Sequence, residues 1–212
     1  MTDRLRHPTL LVALLALGPA LASAGAQAAP SAAPPLAPLP PGCSVAELRG
    51  SRTAAEWHAR AANVEGLCAG LPSLRDGALA PADLEARIWR FAMGCEAVVL
   101  RRTAGQWSAF RVRDERTPTG RGHVVRALPA DSVASTWAAL QRAGVETLVD
   151  DAGRVPPDAA MFDGLSVVVE VRRGTRYRVA AFPFVDGHPG RVTEPALALW
   201  DIAARLIPAT TR

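Results

Sequence analysis

Leu165 to Phe184 reads LSVVVEVRRGTRYRVAAFPF, and this stretch decides the fold. Leu165, Val167, Val169 and Val171 alternate with Ser166, Val168, Glu170 and Arg172, the two-residue period of a strand with distinct faces. Gly174-Thr175 turns the chain, and Tyr177, Val179 and Ala181 form the inward set of a second strand running to Phe184. Strands joined by so short a turn pair antiparallel.

Working outward, the same texture recurs upstream. Arg87 to Ala92, Glu96 to Arg102, Gln106 to Arg113 and His123 to Leu128 read as short strands of a meander, separated by Met93-Gly94-Cys95, Ala104-Gly105 and the charged loop Asp114 to Gly122. A helix is expected from Pro129-Ala130-Asp131 through Trp137 to Ala143, with Gly144 as its C′ residue. Another runs from Ala196 to Ile207, opened by Thr193-Glu194-Pro195 and stopped by Pro208. Thr53-Ala54-Ala55-Glu56 fits a capping box, predicting a helix from Thr53 to about Glu65 that ends near Gly66. Pro81 opens one further helical turn, with Asp83 and Glu85 in it. The expectation is an α+β fold: an antiparallel sheet of about five to six strands with helices on one face, preceded by a disulfide-linked helical segment.

The N-terminus reads as an export signal. Arg4, Arg6 and His7 precede the apolar run Leu10 to Leu17, and Ala26-Gln27-Ala28 offers the small-x-small pattern of signal peptidase. The run is shorter than the roughly 20 apolar residues of a spanning helix. A cleaved signal over 1–28, a Pro/Ala-rich linker over 29–42, a helical extension over 43–85 and an α+β domain over 86–208 follow. The product is expected in the periplasm or medium, with no transmembrane segment after cleavage. An oxidising compartment favours one disulfide among Cys43, Cys68 and Cys95, and Cys43 with Cys68 brackets a single helical segment.

All 24 basic residues are arginine, which excludes Schiff-base, P-loop and Ser-Lys chemistry. The usage fits the codon bias of a GC-rich genome. A net charge of +4 is too mild to imply nucleic acid. Ligand spacing for zinc or calcium is absent, no G-x-S-x-G elbow occurs, and no cofactor is expected. Arginine supplies the candidate site: Arg111 and Arg113 share one strand face, and Arg172, Arg176 and Arg178 line the last hairpin. Together they are expected to form a cationic stripe. Guanidinium forks bind carboxylates and phosphates, so the leading expectation is a non-catalytic envelope module for an anionic partner. One alternative is a hydrolase of envelope material, using acids of the loop Asp150 to Asp163 with Asp186 and His188. Another is an exported inhibitor or immunity-type protein, marked by an exposed apolar patch on the sheet.

Several of these features recur together: Asp163-Gly164 before a strand, Glu170 within it, the Arg173-Gly174 turn, Tyr177 after it, and Ala143-Gly144-Val145 before a Leu148-bearing segment. On them, residues 86–207 resemble a group of uncharacterised bacterial exported domains of the same strand and helix order. The resemblance implies the fold and no activity. The chain departs from the group's pattern at Arg178, where an aromatic or histidine would stand.

Overall fold

The computed structural model describes Leu48 and residues 51–76, 84–92, 94–117, 120–149, 165–183 and 193–208, all within one unit, Leu36–Arg212. Helix α1 (Ala54–Cys68) precedes strands β1 (Leu84–Phe91), β2 (Cys95–Thr103), β3 (Gln106–Thr117) and β4 (Gly120–Leu128). Helix α2 (Val133–Arg142), strands β5 (Ser166–Arg173) and β6 (Arg176–Pro183) and helix α3 (Thr193–Ala204) complete the order. The strands form one antiparallel six-stranded sheet in the order β4-β3-β2-β1-β5-β6. The α+β expectation holds at this level. Among the described residues no helix is long and apolar enough to cross a membrane.

The helices do not share one face. Leu84, Ala86, Ile88, Val98, Leu100, Val167 and Val169 pack against Trp137 and Leu140 of α2 and Leu199 and Trp200 of α3. On the opposite face Trp89, Ala97, Val99, Val112, Val168 and Ala181 pack against Ala55 and Ala62 of α1. The sheet is therefore sandwiched, and the expectation of helices on a single face is corrected. The reason lies in the central strands, which are buried on both sides: Leu84 to Trp89, Cys95 to Leu100 and Ser166 to Arg172 are buried without a break. A strand covered on both faces needs a layer on each.

Helix α1 owes its docking to small residues. Ala54, Ala55, Ala61, Ala62 and Gly66 are buried, letting its backbone approach the sheet closely. Thr53 is its N-cap, its hydroxyl accepting the Glu56 N–H at 3.1 Å, while the Glu56 carboxylate accepts the Arg52 N–H at 2.8 Å. The helix runs through Gly66 instead of ending there. A Schellman motif closes it: Gly70, at φ +75°, donates to the Leu67 carbonyl and Leu71 donates to that of Gly66. Gly144 closes α2 in the same way, donating to Gln141 while Val145 donates to Leu140.

Glu85 lies in β1, not in a helical turn; Pro81 and Asp83 lie outside the described residues. So do the signal segment, the linker, Cys43, the loop 150–164, Asp186 and His188. Cys95 is a free, buried thiol, and no disulfide joins two described residues.

Candidate anion site

The register carries arginines and one glutamate onto the α3 face of the sheet. Arg90 of β1 stands opposite Glu96 of β2, which stands opposite Arg113 of β3. Arg111 lies two residues along, on the same face. Glu96 is the hub: one carboxylate oxygen accepts Arg111 Nε at 2.6 Å and Nη2 at 2.5 Å, and the other accepts Arg90 Nη2 at 3.0 Å. Arg90 also lies over the Trp200 ring of α3, 4.9 Å from its centroid. Asp201 and Arg205 complete the wall of a 500 Å³ cleft. Four guanidinium groups thus face two carboxylates. Glu96 is saturated by Arg90 and Arg111, whereas exposed Arg113 and Arg205 make no ion pair among the described residues.

The expected five-arginine stripe does not exist as one surface. Arg111 is 8% exposed and tied to Glu96. Arg172 points to the α1 side, 9% exposed, donating to the carbonyls of Leu74 (2.9 Å), Arg75 (3.1 Å) and Gly174 (3.1 Å). It fastens the segment after α1 to the sheet. Arg176 and Arg178 face the other way because Val171 pairs with Arg178 and Arg172 with Tyr177. They form a second cluster with Arg173, in which Arg173 bridges to Glu146 at 3.0 Å and Arg178 donates to the carbonyls of Glu146 (2.8 Å) and Leu148. Only Arg113, of the expected five, belongs to the α3 cleft with its charge unneutralised by a described residue; Arg176 is the counterpart at the hairpin.

The α1 face holds a buried polar network that no local motif announced. Glu85, Arg87 and Glu170 have no exposed surface. Glu85 accepts Arg87 at 2.7 Å and Arg101 at 2.7 Å, and Arg87 donates to the Pro72 carbonyl at 2.8 Å. Glu170 accepts Trp89 Nε1 at 2.8 Å and the Tyr177 hydroxyl at 2.9 Å. Burial raises the Glu170 pKa against the pull of Arg87 and these two donors. Burial likewise pushes Tyr177 up, with Glu170 adding to it. With both carboxylate oxygens occupied, Glu170 acts as an acceptor that fixes Trp89 and Tyr177.

His58 Nε2 lies 3.2 Å from Ser166 Oγ, a pairing across 108 residues that sequence reading missed. At 5% and 2% exposure the two are buried and tie α1 to β5. His123 of β4 meets Glu65 of α1 at 2.5 Å. Burial, and then the carboxylates of Glu65, Asp114 and Glu96, push the Cys95 thiol up, which removes the thiolate a nucleophile needs. Among the described residues no three His, Cys, Asp or Glu side chains gather as a metal site. No protein-family model, curated protein or solved structure matches the chain.

Proposed function

We propose that this chain is an exported, non-catalytic binding module whose α3 cleft takes an anionic group of an envelope component. The cleft of Arg90, Arg111, Arg113 and Arg205 beside Trp200 carries this reading. Two of its arginines are held rigid by Glu96, and the other two keep charge for a ligand. A guanidinium matches the planar fork of a carboxylate or the oxygens of a phosphate. The basic, apolar and small-residue order of the first 28 residues supports export. The inhibitor reading gains no support, since the central strands are buried on both faces and the exposed large hydrophobics among the described residues, Val125 of β4 and Val149 after α2, stand in separate segments.

Export bears on the cysteines. Cys95 is free, which leaves Cys43 and Cys68 as the pair for a bridge in an oxidising compartment. Unfolding the mature protein without reductant should release one reactive thiol; three would remove the bridge from the proposal.

Calorimetric titration with inorganic phosphate and with polygalacturonate separates phosphate from carboxylate ligands. Binding to at least one is expected, weakened roughly tenfold by Arg113→Ser with Arg205→Ser. Unchanged affinity in that double variant, or no binding of either probe, overturns the proposal.

A further inference from the structure

Strand β6 is an edge of the sheet. Among the described residues it pairs with β5 alone, so alternate N–H and C=O groups along its accessible half, Arg176 to Val179, point away from the sheet, whereas Ala180 to Pro183 are buried. Clefts flank this edge on both faces. On the α1 side, a 780 Å³ cleft is floored by Ala59, Val64, Leu67, Val179 and Ala181, and its charged rim of Glu56, Arg60, Arg75 and Asp76 is balanced. On the α2 side, a 960 Å³ cleft sets Arg173, Arg176 and Arg178 against Glu146. Tyr177 lines both, so the two clefts meet around the strand. Side chains of a paired strand alternate between faces, so an extended segment laid along Arg176 to Val179 would send alternate residues into the two clefts.

We propose that β6 accepts an extended peptide from a protein partner as a seventh strand, with apolar residues toward α1 alternating with acidic residues toward Arg173, Arg176 and Arg178. Main-chain hydrogen bonds supply the affinity and the two unlike clefts the selectivity. Charge complementarity fixes the register, because a one-residue slip carries the acidic set onto the apolar floor. This surface is separate from the α3 cleft, and the two respond to different variants.

The probe is a fluorescein-labelled peptide of four Val-Glu repeats, long enough to span the accessible half of the strand in either direction, read by anisotropy on the mature protein. Binding is expected, falling roughly tenfold in Arg176→Glu and persisting in Arg113→Ser with Arg205→Ser. Two further peptides carry N-methyl groups on the valines or on the glutamates. One should bind like the parent and the other should fail, because a strand offers only one edge to β6. Equal behaviour of the two methylated peptides, insensitivity to Arg176→Glu, or loss of binding in the α3-cleft double variant overturns the proposal.

Discussion

Arg87 and Glu170 face each other across β1 and β5, both without exposed surface, and Glu85 and Arg101 extend the set to two of each charge. Breaking such a set by removing one member typically costs about 3–5 kcal/mol, because a charge is stranded. The direct partners of Glu170 are neutral donors, and burial raises its pKa. The sign of its pH effect follows. The folded protein holds the Glu170 proton to higher pH than the unfolded chain, whose glutamates titrate near 4.3, as is usual. Its contribution to stability is full below that value and is lost as pH rises toward the raised folded value. Glu170→Gln keeps the geometry: the amide oxygen accepts Trp89 Nε1–H and the amide nitrogen donates to the Tyr177 oxygen. Urea midpoints between pH 4 and pH 8 should show the variant gaining on the wild type as pH rises. A constant offset across the range would mean that Glu170 titrates as an ordinary carboxylate.

At the scale of the element, α1 shows what sequence alone can and cannot place. The capping box was legible because it is local, and Thr53 performs the role its spacing announces. Thr53→Ala should cost about 1 kcal/mol in chemical unfolding. Glu56 belongs to the same cap; the Arg52 N–H, aided by Arg60, holds its pKa below the usual value. Its contribution is present above the unfolded value and lost as pH falls through the lowered one. This slope is common to wild type and Glu170→Gln, so it cancels in their comparison. Gly66 was misread as a terminator, because a glycine that ends a helix and one that admits a neighbour look alike in sequence. Here a Cβ would lie 3.0 Å from Arg87 Nη1 and 3.5 Å from Trp89 Cζ2. Helix propensity alone would make Gly66→Ala stabilising by about 1 kcal/mol. Arg87 is pinned by Glu85 and the Pro72 carbonyl and cannot give way. Overpacking costs about 1–3 kcal/mol, so a net loss near 1 kcal/mol is expected; a gain in midpoint would show that Arg87 moves. Glu85 was misplaced in a helix for a related reason: a strand buried on both faces loses the alternation that identifies strands.

For the whole molecule, the hairpin of β5 and β6 was legible from period and turn, and with it the α+β class. The distribution of the arginines was not, because each one's face depends on strands paired far apart in sequence. Arg172 could be seen as internal only once β1 was known to lie between β2 and β5, with α1 over that face. The same dependence decides whether residues 84–212 can stand alone. Without α1, Trp89, Val99, Val112, Val168 and Ala181 would meet water, an apolar face of the kind that drives association. Arg87 would lose the Pro72 carbonyl, and Arg172 those of Leu74 and Arg75, so the polar contacts that fasten this face would be gone. A chain beginning at Leu84 should therefore bind 8-anilinonaphthalene-1-sulfonate, aggregate or unfold without a cooperative transition. One beginning at Cys43 should keep the midpoint of the mature protein. If the shorter chain unfolds cooperatively at that midpoint, α1 is an appendage and the sheet is stable with one face open. If it fails as expected, α1 is the layer that completes the sandwich, and the polar contacts beneath it hold that layer in place.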